Sequence, residues 1–161
     1  MPAKVLVSSC LLGAEVRYHG GAATIGSAIL DRWRAEGRIV DVCPEVAGGL
    51  STPRPPAERV GVRVLTNHGQ DVTAAFDAGA TRAVAMAQQY GVRVAVLKSR
   101  SPSCGISAIF DGTFAGQLKP GMGVTAEALS KLGVRLFDET QLAEADAALR
   151  SLDAGDRSHL P

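Results

Sequence analysis

Three cysteines, Cys10, Cys43 and Cys104, are the residues best suited to chemistry in this 161-residue chain. Each stands beside turn-forming residues, in Ser8-Ser9-Cys10, Cys43-Pro44 and Ser103-Cys104-Gly105. A thiolate is both a nucleophile and a soft metal ligand. Taken singly, each cysteine reads as an ordinary buried thiol, because free cysteine is among the most buried residue types. Taken together they form a pattern, since all three follow strand-like segments and so fall at carboxyl ends. In an open parallel sheet that edge is where ligands bind, and residues distant in sequence meet there in one crevice.

Two ligand chemistries fit three thiolates. Zinc accepts three protein ligands plus water, or four protein ligands. An iron-sulfur cluster suits thiolates at least as well, and three cysteines leave one iron without a protein ligand. The histidines His19, His68 and His159 lack the short spacing of a zinc motif, and none pairs evidently with a cysteine to make a cysteine hydrolase. Glu45, two residues after Cys43, holds a carboxylate at the same edge and is the candidate general acid or base. Lys98-Ser99-Arg100-Ser101-Pro102-Ser103-Cys104-Gly105 is the densest polar segment. Its hydroxyls, Ser101 and Ser103 above all, are placed to orient a nucleobase or to stabilise developing negative charge. Gly48 and Gly49, in the loop after Glu45, join Ser103 as candidates for substrate contact.

The elements that must position these residues follow from hydrophobic periodicity. Lys4 to Ser9, Arg38 to Cys43, Val92 to Lys98 and Val134 to Phe137 read as strands. Helical spacing predicts helices over Ile25 to Ala35 with Thr24 as cap, and from a cap at Thr73 to a stop at Gly91. Two more follow caps at Thr125 and Thr140. Val62 to Asn67, with the Gly69 turn, adds a short strand or hairpin. Pro44 to Arg59 and Asp111 to Gly123, rich in proline and glycine, read as irregular loops. The expected fold is a single-domain, three-layer α/β unit over residues 1–152, Rossmann-like, with a mostly parallel sheet, helices on both faces and a frayed tail over 153–161.

Composition narrows the function classes. With 46% apolar and 20% charged residues, the chain can bury one sizeable core. A net charge of +1 offers no basic surface for a nucleic-acid backbone or an anionic membrane. The amino-terminal residues enter a strand-like run without a signal peptide's long apolar segment, and no stretch is long enough to span a bilayer. An odd number of cysteines disfavours a disulfide framework and points to a reducing compartment, the cytoplasm.

Val7-Ser8-Ser9-Cys10-Leu11-Leu12-Gly13 with Val16-Arg17-Tyr18, Cys43-Pro44-Glu45-Val46-Ala47-Gly48-Gly49-Leu50 with Pro53-Arg54, Leu97 through Gly105, and Asp111-Gly112-Thr113-Phe114 together resemble the thiouracil desulfidase family, formerly catalogued as a domain of unknown function. The resemblance covers nearly the whole chain up to the last helix and suggests the stand-alone short form. It implies a [4Fe-4S] cluster held by Cys10, Cys43 and Cys104, removal of sulfur from a thiolated nucleobase such as thiouracil to give uracil and sulfide, and catalytic roles for Glu45 and Ser101. Position 19 departs from the family pattern, in which aspartate is commoner than His19.

Overall fold

In the computed structural model, which describes residues 2–158, the four strands expected from the sequence form one parallel sheet. They are β1 (Val5–Ser8), β2 (Ile39–Val42), β5 (Val94–Leu97) and β8 (Arg135–Asp138), in the order β2-β1-β5-β8. All four residues of β1 and of β5 are buried, as a central parallel strand covered on both faces requires. The register pairs Val5 with Val94 and Val7 with Val96. These four side chains face one layer, made by α1 (Ala28–Ala35) and α5 (Leu142–Ser158) through Trp33, Ala145 and Leu149. Leu6, Ala95 and Leu97 face the opposite layer, made by α3 (Thr73–Tyr90) and α4 (Val124–Lys131) through Ala83, Ala87 and Leu129. The three-layer α/β expectation is borne out. Among the described residues no helix is long and apolar enough to cross a membrane.

Trp33 shows how the layers are locked. It is fully buried, so its indole N–H needs a partner, and it donates to Asp146 Oδ1 of α5 at 3.0 Å. Asp146 also pairs with Arg32 at 2.7 Å and Arg150 at 3.1 Å, tying α1 to α5.

Several local expectations are corrected. The first helix begins at Ala28 rather than Ile25, and its cap is Ser27, whose side chain accepts from the amides of Ile29 and Leu30. Thr73 does not cap α3. Its amide donates to Asp71 Oδ1, and its hydroxyl accepts from Val64 N of the adjacent hairpin. That hairpin pairs β3 (Ala57–Val60) with β4 (Arg63–Thr66), so half of it arises within the segment expected to be irregular. The same segment opens with α2 (Pro44–Ala47), and the second irregular segment contains β7 (Leu118–Pro120), paired with β6 (Ala108–Phe110). The last helix includes the start of the expected tail, where Asp153 accepts from Ala3 N and Arg38 at 2.8 Å each. His159 and the end of the expected tail lie outside the described residues.

The short helix α2 sits on α3 through two glycines. A β-carbon on Gly48 would run into the Ala75 carbonyl, and one on Gly79 would run into the Pro44 carbonyl. The backbones therefore meet with nothing between them. Gly79→Ala forces the two helices apart at a cost of about 1–3 kcal/mol, the usual penalty for overpacking. The expected result is a lower urea midpoint; an unchanged midpoint would show that this contact yields freely.

Candidate functional site

The cavity lies at the carboxyl edge of the sheet. The chain order reverses there, with β2 on one side of β1 and β5 on the other, and such a switch point opens a crevice. It encloses about 430 Å³. Cys10, Cys43, Cys104, Glu45, Ser101 and Ser103 all line it, together with Arg17, Arg54, Lys98 and Arg100. Six site residues expected from the sequence are thus on one cavity. Gly48 and Gly49 are not: Gly48 packs against the backbone of α3 as described, and Gly49 makes the left-handed turn that follows, with φ of 99°. His19 is also outside the lining, and its Nδ1 accepts from Gly21 N at 2.9 Å as a loop contact.

Each thiol is positioned by local structure. Cys10 sits in a tight helical turn, Ser9–Leu12, that leaves β1 and closes on Gly13 in the left-handed region. Cys43 directly follows β2 and precedes Pro44, whose fixed φ suits the first position of α2. The loop carrying Cys104 is held at both ends. Lys98 N donates to Ser8 Oγ at 2.9 Å, and Ser99 N donates to both carboxylate oxygens of Glu139 at 3.0 and 3.1 Å. Further along, the carbonyls of Pro102 and Ser103 accept from Val124, Thr125 and Ala126, so the loop satisfies the open amides that begin α4. That corrects the expected capping role of Thr125, which is fully buried.

Burial sets the protonation of the thiols. It pushes Cys104 up to about 12, outweighing the hydroxyl donors of Ser8 and Ser103. It also raises Cys10, with neighbouring Cys43 adding to the effect and Lys98 and Arg17 opposing it. Cys43 rises by burial against the amides of Val46 and Glu45. Burial thus favours the protonated thiols, and a bound positive centre would offset that desolvation. Among the described residues no three His, Cys, Asp or Glu side chains close round a single ion. The donor set that lines the cavity, three soft thiols and no imidazole, fits an iron-sulfur cluster, in which each thiolate would meet a different iron.

Glu45 is clamped from two sides. Arg54 Nε donates to its Oε1 at 3.0 Å and Ser103 Oγ donates to its Oε2 at 3.2 Å. Arg54 is itself held in place, since its terminal nitrogens reach Ser51 O, Thr52 Oγ1 and Val16 O. Sequence reasoning assigned Arg54 no role; a cation embedded among Pro53, Pro55 and Pro56 was the available signal. Glu58 was missed as well. It lines the cavity and holds the 111–117 loop, accepting from Gly112 N at 2.9 Å and Phe114 N at 3.1 Å. The Arg54 and Glu45 side chains are only 5% and 15% exposed. Arg54→Ala strands the carboxylate and lowers stability by roughly 3–5 kcal/mol, read as a fall in urea midpoint. A change below the resolution of that measurement would mean that water replaces the guanidinium.

A family model described as 2-thiouracil desulfurase matches residues 5–141, a span that contains all six cavity residues expected from the sequence. The chain belongs to the 2-thiouracil desulfurase family. YbbK, an uncharacterized protein of Bacillus subtilis (strain 168), is 40% identical over 148 residues, which span 86% of this chain and 97% of that protein. The solved structure of the [4Fe-4S]-dependent thiouracil desulfidase TudS is similar at a TM-score of 0.91 and 50% identity, covering 92% of this chain and 98% of that one. The family resemblance read from the four sequence motifs is borne out, and the shared architecture extends across nearly the whole desulfurase-family chain.

Proposed function

We propose that this chain is an iron-sulfur-dependent desulfidase that converts thiouracil and water to uracil and sulfide without net oxidation or reduction. The observation that carries the reading is one cavity walled by three thiols, a clamped carboxylate and two hydroxyls, in a chain 50% identical to a [4Fe-4S]-dependent thiouracil desulfidase. Cys10, Cys43 and Cys104 would hold the [4Fe-4S] cluster. When bound, the cluster would supply a Lewis-acidic iron able to polarise the carbon-sulfur bond of the substrate.

The remaining work falls to the chain's own side chains. Glu45, held by Arg54, takes the proton of the attacking water. Ser101 Oγ, fixed by two backbone amides at 3.1 Å, orients that water and stabilises charge at the attacked carbon. The cavity volume admits a pyrimidine, and its low polarity between the polar groups limits stray water. The same reading makes residues 1–152 the catalytic domain, a free thiolated nucleobase rather than nucleic acid the partner, and the cytoplasm the compartment that keeps the thiols reduced.

Anaerobic turnover of 2-thiouracil and 4-thiouracil in ¹⁸O-labelled water tests it. The expected products are uracil carrying one labelled oxygen and an equal amount of sulfide, with no added electron donor or acceptor. Sulfide release that requires a reductant would overturn the hydrolytic reading. Ser101→Ala is expected to keep the cluster's visible spectrum and to lose about 10²- to 10³-fold in kcat.

A further inference from the structure

Glu58 is a buried carboxylate whose bonds are unevenly shared. It stands on β3, is 9% exposed, and lines the cavity that holds the three thiols. A buried carboxylate is ordinarily paired with a cation, yet among the described residues Glu58 forms no ion pair. Both of its hydrogen bonds fall on one oxygen, since Oε1 accepts from Gly112 N at 2.9 Å and from Phe114 N at 3.1 Å. The loop is shaped to present those two amides. Asp111 N donates to Gln117 O across the loop's neck, Asp111 Oδ1 takes the intervening amide of Thr113, and Phe114 adopts φ of 57°, a conformation that a residue with a side chain takes only at a cost. Oε1 is thereby committed. Oε2 accepts from no described residue. Nor is it sealed in the core, where the buried side-chain atoms without a partner are Arg38 Nε and Thr125 Oγ1. A carboxylate oxygen open on a cavity-lining side chain is an acceptor for whatever donor the cavity takes in.

We propose that Glu58 Oε2 accepts the ring N–H beside the sulfur-bearing carbon, which makes Glu58 a specificity-determining residue for thiolated pyrimidines that carry this N–H. This rests on the desulfidase reading above. Thiouracil has few donors to offer. Its sulfur and oxygen are acceptors, and its N–H groups are at N1 and N3. N3–H lies between C2 and C4, so it flanks the carbon that loses sulfur in both 2-thiouracil and 4-thiouracil, whereas N1–H flanks that carbon in 2-thiouracil alone. One acceptor that serves both isomers therefore reads N3. The two loop amides on Oε1 fix the plane of the carboxylate, so Oε2 offers its lone pairs in a set direction. No proton is transferred in this contact, and uracil leaves with N3–H intact.

The test uses cluster-loaded protein and N-methylated thiouracils. With the wild type, 3-methyl-2-thiouracil and 3-methyl-4-thiouracil are expected to lose about 10- to 10²-fold in kcat/KM, as for one lost hydrogen bond to a charged group, while the 1-methyl isomers stay within about threefold of the parent bases. A methyl group also adds bulk, and Glu58→Gln separates bulk from bonding. Glutamine matches glutamate in size, and its carbonyl oxygen can still accept from Gly112 N and Phe114 N. Its NH₂ then takes the place of Oε2 and meets N3–H donor to donor. Glu58→Gln is expected to keep the cluster's visible spectrum and the exchange rates of the amides at 112 and 114. It should lose about 10- to 10²-fold in kcat/KM for the unmethylated bases, and its 3-methyl penalty should shrink to within about threefold. A 3-methyl penalty as large in Glu58→Gln as in the wild type would show steric exclusion and overturn the hydrogen bond, as would wild-type kcat/KM for the unmethylated bases. Faster exchange at 112 and 114 in Glu58→Gln would overturn the division of labour between the two oxygens. The comparison of methyl isomers on the wild type decides the matter even for a variant that does not fold. No sulfide from either unmethylated base would overturn the desulfidase reading itself, whereas turnover of both with equal losses for the 1-methyl and 3-methyl isomers would sink the Glu58 assignment alone.

Discussion

Replacing any one of Cys10, Cys43 and Cys104 by alanine is expected to leave the protein folded, nearly free of iron, and without measurable desulfidase turnover. Two thiolates cannot replace the missing ligand, and the cavity offers no imidazole to substitute. The cost to the fold is small by comparison. Cys10 and Cys104 are 8% and 4% exposed within apolar clusters, so deleting one sulfur costs about 1 kcal/mol, as for other deletions of a single buried group. Circular dichroism separates the two effects from iron and acid-labile sulfide analysis. A variant that retained its full iron and sulfide would strike that cysteine from the ligand set.

Glu45→Gln is expected to keep the cluster and lose about 10²- to 10⁴-fold in kcat, with little change in KM. Glutamine keeps the side chain's length and can still accept from Arg54 Nε, whose bond to Oε1 is 3.0 Å in the wild type. It has no basic oxygen to take a proton, and its NH₂ would face the Ser103 hydroxyl, which donates to Oε2. A Glu45→Gln protein that lost its iron would instead make the carboxylate a support for the ligands beside it. One that kept both iron and wild-type kcat would assign the base to another group.

The sheet and the thiol edge were legible in the sequence for a single physical reason. Parallel strands covered on both faces must be apolar throughout, so Val5–Ser8 and Val94–Leu97 stand out as short β-branched runs. Once those runs were strands, Cys10, Cys43 and Cys104 were committed to one edge. What escaped were features set by tertiary contact. Ser27 and Thr24 are both good cap types, and nothing local chooses between them. The strand Ala57–Val60 was hidden by the prolines before it, although its pairing with Arg63–Thr66 begins just after the last of them. Gly48 read as a loop glycine near substrate, yet its lack of a side chain is needed because the Ala75 carbonyl from α3 occupies that space. Arg54 and Glu58 likewise gain their roles from partners nine and more than fifty residues away, Glu45 for one and Gly112 and Phe114 for the other.

The most direct test of the central claim is sulfide release from 2-thiouracil measured across preparations of graded cluster occupancy, under anaerobic conditions and with zinc-loaded protein alongside. The expected result is a rate that rises from zero in proportion to bound iron and labile sulfide, with no turnover in the zinc-loaded form. Turnover by iron-free protein, or full activity with zinc in place of the cluster, would contradict the assignment of Cys10, Cys43 and Cys104 as ligands of a catalytic iron-sulfur cluster.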